Sequence, residues 1–182
     1  EISNLTIKNT TTATSSNNFG IVIYANSKSN FLIHKCEIII SGTALTMYGL
    51  YLDSSNYKSF YNTITTTTSS SGYNNYGIYQ EDTIFYDESS TITVSGGSSS
   101  DSNSIINSGI NNVRTNGSLV NPKITISGNR VSNEGISCST ATGSTDTLIQ
   151  VFNADLIVSG TGSKSIKVSE NFYSLILVNS RL

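Results

Sequence analysis

The sequence predicts an all-β chain wound as a single-stranded, right-handed parallel β-helix, a β-solenoid of six or so turns, each of roughly 26–33 residues. Three observations carry that expectation. A small residue followed by alternating apolar residues recurs at a nearly constant interval. A second phrase, apolar-x-apolar, keeps pace with it, and a looser third apolar segment falls between them.

The first phrase runs Gly20-Ile21-Val22-Ile23, Gly49-Leu50-Tyr51-Leu52, Gly77-Ile78-Tyr79-Gln80, Gly109-Ile110-Asn111-Asn112, Gly135-Ile136-Ser137-Cys138 and Ser165-Ile166-Lys167-Val168. Its anchors advance in steps of 29, 28, 32, 26 and 30. The second runs Leu5-Ile7, Ile38-Ile40, Ile64-Thr66, Ile92-Val94, Ile124-Ile126 and Leu156-Val158, with steps of 33, 26, 28, 32 and 32. Four copies close on Ser-Gly, at Ser41-Gly42, Ser95-Gly96, Ser127-Gly128 and Ser159-Gly160. The third segment is represented by Phe31-Ile33, Phe60, Phe85, Leu119, Leu148 to Phe152 and Leu175-Leu177.

Short alternating strands separated by Ser/Asn/Gly turns cannot bury their apolar sides within one period, but stacked periods can. Each turn then pairs in parallel with its neighbours, about 4.8 Å away. The chirality of parallel crossovers favours a right-handed coil. A helix is excluded because the apolar spacing is two, and the β-branched and Tyr-rich composition favours strands. An antiparallel sandwich would show a hairpin signal about every 8–12 residues, which the three-part period replaces.

Composition narrows the partners. The 182 residues carry 10 Lys and Arg against 12 Asp and Glu, with the arginines scattered at 114, 130 and 181. No basic patch marks a nucleic-acid binder. No apolar run reaches the length of a membrane span, and no cofactor motif is present. No linker divides the chain, so residues 1–182 read as one domain.

The phrases YGLYLDSS, YNTITTT and NNYGIY resemble the degenerate repeats of right-handed parallel β-helix proteins, the pectin-lyase-like solenoids. The resemblance covers most of the chain and is clearest from about residue 19 to 96. It implies the fold and leaves function open, because that family spans polysaccharide lyases and hydrolases, phage tailspikes, autotransporter passengers and surface adhesins. The Asn-Thr-Asp, Asp-Asp and Gly-His-Gly signatures of the pectin-degrading hydrolases are missing. No arginine falls beside Asp53 and Glu81 in the register, so the arginine base of the pectate lyases has no counterpart.

Parity turns the repeat into candidate sites. Leu50 and Leu52 point inward, so Tyr51 and Asp53 point outward, and Tyr79 and Glu81 follow one rung later. Tyr24 is expected in the tyrosine column one turn earlier. Tyr24, Tyr51 and Tyr79 would form a carbohydrate-contacting ladder. Asp53 and Glu81 would, in the alternative reading, be the acidic pair of a carbohydrate-active enzyme. Glu81, Asp82, Asp87 and Glu88 could instead gather on one bend around calcium, which takes six to eight oxygens. The same acids also fit a plain solvent-facing role.

Cys36 and Cys138 sit three turns apart, roughly 14 Å along the axis, and are expected as free buried thiols. His34, the sole histidine, allows no histidine cluster. Thr6, Thr65, Thr93 and Thr125 are expected in one outward column and Ser41, Thr67, Ser95, Ser127 and Ser159 in the next. A Thr face of this kind is reminiscent of ice-binding solenoids, although Ile39 and Ile157 interrupt it.

Both ends read as strand, not cap, and Leu182 follows Leu156 after one short turn, in phase with Leu5. Uncapped ends in matching phase would let one molecule continue the next. The expectation is therefore an extracellular or cell-surface structural or adhesive β-solenoid. Its partners would be its own copies, end to end, and a polysaccharide. The alternative is a polysaccharide lyase, hydrolase or tailspike-like protein using Asp53 and Glu81.

Overall fold

The computed structural model describes residues 1–12, 15–24, 30–69, 74–97, 106–128, 132–139, 147–160, 162–168 and 174–182. Every described element is a strand, and all pairings are parallel. Three sheets run along one coil. Sheet A holds Ile2–Ser3, Asn30–His34, Asn56–Phe60, Ile84–Glu88, Asn116–Val120, Leu148–Phe152 and Ser174–Val178. Sheet B holds Thr6–Thr11, Glu37–Gly42, Thr63–Thr68, Thr91–Gly96, Lys123–Ser127 and Asp155–Val158. Sheet C holds Asn18–Tyr24, Thr46–Asp53, Asn74–Glu81, Ile106–Val113, Ser132–Ser139 and Ser163–Val168. Each turn visits A, B and C in order. The six strands of sheet C are thus five full turns from first to last.

Register makes the core. In sheet B, Ile7, Ile38, Ile64, Ile92, Ile124 and Leu156 pair rung to rung. In sheet C the same is true of Ile21, Leu50, Ile78, Ile110, Ile136 and Ile166. The central members are fully buried. Each such side chain contributes about 1.5–3 kcal/mol, so the two columns supply a large share of the apolar stabilisation of the coil.

The glycine anchor has a packing cause. A Cβ on Gly49 would sit 2.3 Å from Cγ2 of Ile64, and one on Gly77 would sit 2.4 Å from Cγ2 of Ile92. The isoleucines of sheet B press against the start of sheet C, leaving no room for a side chain. Just before this anchor runs a second ladder, Asn18, Met47, Asn75, Asn107 and Asn133. The Nδ2 of Asn75 donates to the carbonyl of Ser95 at 3.0 Å, and that of Asn107 donates to Gly96 at 3.1 Å. These amides satisfy carbonyls where sheet B ends, groups the bend would otherwise bury unpaired.

The bend from A to B is made by one left-handed residue per turn. Asn4, Lys35, Tyr61, Ser89, Asn121, Asn153 and Asn179 all have φ between 48° and 59°. Asparagine suits that conformation, whereas tyrosine and lysine adopt it at a cost of about 1–2 kcal/mol. Their amides offset it by bonding the next rung: Tyr61 N donates to Glu88 O at 2.9 Å, and Lys35 N to Phe60 O at 2.9 Å.

Several positions depart from the expected register. Ile7, not Leu5, pairs with Ile38, and Leu5 is 49% exposed. Arg181 bridges Asp155, which sets Leu182 beside Leu156 in the Ile7 column, not the Leu5 column. Lys8, not Thr6, precedes Ile39, Thr65, Thr93 and Thr125. All three differences share one cause: aligning Leu5-x-Ile7 with the later copies sets the first strand two positions early, and parity cannot detect a shift of two. Phe60 points outward, pairing with His34 and Glu88, while Tyr57 and Ser59 face the core. The column of Ser41, Thr67, Ser95 and Ser127 is present and begins at Thr10. Cys36 and Cys138 are free and buried.

The core is not apolar throughout. One inner column of sheet A reads Ile33, Ser59, Asp87, Leu119, Val151 and Leu177. An inner column of sheet C reads Ile23, Leu52, Gln80, Asn112, Cys138 and Val168. The Tyr57 hydroxyl donates to Gln80 Oε1, and Gln80 Nε2 donates to Asn112 Oδ1. Asn112 Nδ2 then donates to the carbonyl of Ser137 at 3.1 Å. The polar centre of the coil is a chain of bonded amides capped by a phenol.

Candidate carbohydrate-binding face

Sheet C presents its outer face through columns set by the register. The first contains Phe19, Tyr48, Tyr76, Ser108, Glu134 and Lys164. The second contains Val22, Tyr51, Tyr79, Asn111, Ser137 and Lys167. The third begins Tyr24, Asp53, Glu81 and Val113. Met47 and Leu50 both face inward, so the small Gly49 absorbs the extra residue that lets Tyr48 and Tyr51 both face out.

The aromatic residues interlock. Phe19 stacks on Tyr48 at 4.9 Å, and Tyr48 stacks on Tyr76 at 5.4 Å. Tyr51 stacks on Tyr79 at 5.3 Å with planes 3° apart. The two stacks meet edge to face, Tyr48 lying 5.2 Å from Tyr51 and Tyr76 5.4 Å from Tyr79. Such pairs contribute about 0.5–1.5 kcal/mol each, so part of their role is to hold the rungs in register. Burial is the main reason the Tyr48, Tyr51, Tyr76 and Tyr79 hydroxyls are pushed above the ordinary phenol range; for Tyr79, the charge and hydrogen bond of Glu81 add to it. All four therefore stay protonated and able to donate at neutral pH.

Beside the rings lies a charged cluster. The Tyr79 hydroxyl donates to Glu81 Oε2 at 3.1 Å. Arg114 donates through Nε and a terminal nitrogen to the two oxygens of Asp82, both at 2.8 Å, and also to Glu81 Oε1. The Ser54 hydroxyl donates to Asp53 Oδ1 at 2.8 Å. Asp82 foremost, and Glu81 with it, hold the guanidinium well above the usual arginine range. Further along the face, Lys167 Nζ donates to buried Glu134 at 2.8 Å, and Ser132 donates to the same oxygen at 2.7 Å.

Tyr51 and Tyr79 stack as expected, and Asp53 and Glu81 occupy consecutive rungs of one column. Tyr24 does not join the tyrosines. It pairs with Asp53, is 67% exposed, and leaves its expected place to Val22. The anchors already imply this, since Gly20 and Gly49 each precede their column by two. The four acids considered for calcium do not share a bend. Asp87 faces the core and is fully buried, Glu88 accepts the Tyr86 hydroxyl at 2.9 Å, and Glu81 and Asp82 take Arg114. Among the described residues no three His, Cys, Asp or Glu side chains converge as a cation site.

Arg114 corrects the expectation that no arginine lies near the acids. A signal for it exists in the repeat: the same interval that carries Gly77 onto Gly109 carries Asp82 onto Arg114. The Asn ladder was likewise legible as Asn-x-Gly at Asn18, Asn75, Asn107 and Asn133. The second aromatic stack was not, because strict alternation places Tyr48 and Tyr51 on opposite faces. Comparison of the chain with protein-family models, with curated proteins and with solved structures finds no match.

Proposed function

We propose that this chain is an extracellular or cell-surface β-solenoid with a structural and adhesive role, whose sheet C face binds a polysaccharide without cleaving it. The observation that carries this reading is the interlocked array of Phe19, Tyr48, Tyr51, Tyr76 and Tyr79 bordered by Asp53, Glu81, Asp82 and Arg114. Stacked rings spend most of their faces on each other. Tyr76 is itself buried and Tyr79 donates to Glu81, so what the array offers a ligand is the ring edges of Phe19, Tyr48, Tyr51 and Tyr79, the phenols of Tyr48 and Tyr51, and carboxylate acceptors, a surface suited to sugar hydroxyls. Hydroxyl- and amide-rich outer columns and low charge support an exposed location, and three parallel strands per turn support the likeness to pectin-lyase-like solenoids.

Cleavage fits the cluster poorly. A glycosidase acid must reach the leaving oxygen, and Glu81 and Asp82 are instead engaged by Arg114. A lyase base needs a deprotonated group, and those acids hold Arg114 protonated. Co-sedimentation with insoluble polysaccharides tests the reading. Binding should fall in a Tyr51→Ala, Tyr79→Ala double variant, with no new reducing ends released. Sugar release that disappears in Asp53→Asn, Glu81→Gln would replace it with the enzymatic alternative. The rung-on-rung parallel register also supports end-to-end self-association, for which fibres in electron micrographs at high concentration are the expected sign.

A further inference from the structure

A groove of about 690 Å3 lies on the outer face of sheet A, away from the aromatic array. Its floor is the backbone of Phe31, Tyr57 and Phe85, paired in register across three rungs. One wall carries Asn30, Asn56 and Ile84, and the other carries Leu32, Lys58 and Tyr86. Glu1, preceding the Ile2 that pairs with Ile33, stands at one end. The walls follow the stacked columns, so the groove runs parallel to the solenoid axis.

We propose that this groove binds a short neutral oligosaccharide lying along the axis, a second site independent of the sheet C face. Three features select that ligand class. The volume is that of a small-molecule site, about 300–1,000 Å3. The strand Asn56–Phe60 pairs with neighbours on both sides, so the floor offers no edge to which a peptide could add as a strand. Recognition must therefore come from side chains. These alternate amides with apolar surface: Asn30 and Asn56 beside Leu32 and Ile84, the last 48% exposed.

A sugar chain has the matching alternation of hydroxyl rims and C–H faces. Tyr86 is pre-positioned for such a face, its hydroxyl tethered to Glu88 at 2.9 Å and its ring tilted against Phe60 at 5.7 Å. Among the described residues Lys58 is the only cation on the walls, and the Glu1 carboxylate at the end bonds His34 at 2.9 Å, so the groove has no run of positive charge that would favour a polyanion.

The test titrates the whole chain with tetramers of β-1,4-glucose, α-1,4-glucose and β-1,4-xylose, and with a galacturonate tetramer as the acidic probe. Calorimetry and backbone NMR shifts are the readouts. At least one neutral tetramer should bind and shift resonances of Asn56–Phe60 and Ile84–Glu88. Tyr86→Ala should weaken that binding about tenfold or more, and Lys58→Ala, at an exposed position, should weaken it measurably. The shifts at Asn56–Phe60 and Ile84–Glu88 should persist in Tyr51→Ala and Tyr79→Ala, whatever those variants do at sheet C. The wild-type shift map keeps the proposal testable even if a variant folds poorly. Failure of all neutral tetramers to bind, tighter binding of the galacturonate, or binding indifferent to Tyr86 would each overturn the groove assignment. Shifts confined to sheet C would also overturn it while leaving the aromatic-face reading standing.

Discussion

Along sheet B the inner column Ile7, Ile38, Ile64, Ile92, Ile124 and Leu156 is apolar at every rung, whereas along sheet A the column of Ile33 turns polar at Ser59 and Asp87 before returning to Leu119. Both walls face the same interior. The first is held by shape, since its isoleucines press on the glycine anchors of sheet C. The second is held by bonding. Ser90 donates to Asp87 Oδ1 at 2.7 Å, and Asn62 ties Ser59 to the Ile33 carbonyl, at 2.8 and 3.1 Å. The difference teaches that this coil keeps one column apolar at every rung where sheet B presses on the glycines of sheet C, and admits polar rungs in its other inner columns. Asp87 Oδ2, buried without a protein partner, marks where that tolerance is most strained.

The largest effect should come from breaking the shape-held wall. Ile92→Ala removes a fully buried side chain between Gly77 and its own column neighbours, and should cost about 2–5 kcal/mol in chemical denaturation. An unfolding midpoint close to wild type would show that the sheet B column is not what holds the turns together.

Asp87 sharpens the other half. Burial pushes its carboxyl up to about 6, against which Ser59 and Ser90 hydrogen bonds act only partly. Because the folded pKa lies above the unfolded one, the native state binds the extra proton and stability falls as pH rises from about 4 to about 6. The full swing would be on the order of 3 kcal/mol, the free-energy equivalent of that displacement. Asp87→Asn should remove that slope and raise stability above pH 7, while near pH 4 the two proteins should match. Thermal unfolding of both proteins across this range decides it; a difference between wild type and Asp87→Asn that stays constant from pH 4 to 7 would put Asp87 in contact with solvent.

Two smaller changes probe the same contrast. Thr66 lies between Ile40 and Val94, and its hydroxyl is buried without a partner. Thr66→Val should stabilise by about 1 kcal/mol, since it extends the apolar wall and removes an unbonded hydroxyl. Arg114→Ala should cost about 1 kcal/mol or less, because solvent reaches the guanidinium and both acids, and the loss should shrink further in high salt. A salt-independent loss would instead point to packing of the Arg114 stem.

The repeat period, the parallel strands, the Ile38 and Leu50 columns, the free thiols and the Tyr51–Tyr79 stack were all legible from spacing of two and a return of about 28 residues. Errors arose where a copy had degenerated: Leu5 matches its neighbours as well as Ile7 does, and Phe60 stands out as apolar beside a Tyr57 that is the true core residue. Asp87 was misplaced for a related reason, since a carboxylate in strand pattern reads as solvent-facing.

What the sequence determined by itself is the coil, because a period of two within strands and a fixed return between them leave only stacked parallel turns to bury the apolar side. What the tertiary structure decided is which side chains meet: Arg114 on Glu81 and Asp82 from the preceding turn, Tyr57 on Gln80 across the core, Tyr48 beside Tyr51 on one strand, and the groove between two columns of sheet A. Those contacts depend on the unequal lengths of the turns and on the extra residue absorbed at each glycine. Alternation along one strand carries no information about either, because a rung finds its neighbour through backbone hydrogen bonds that do not depend on which way a side chain points.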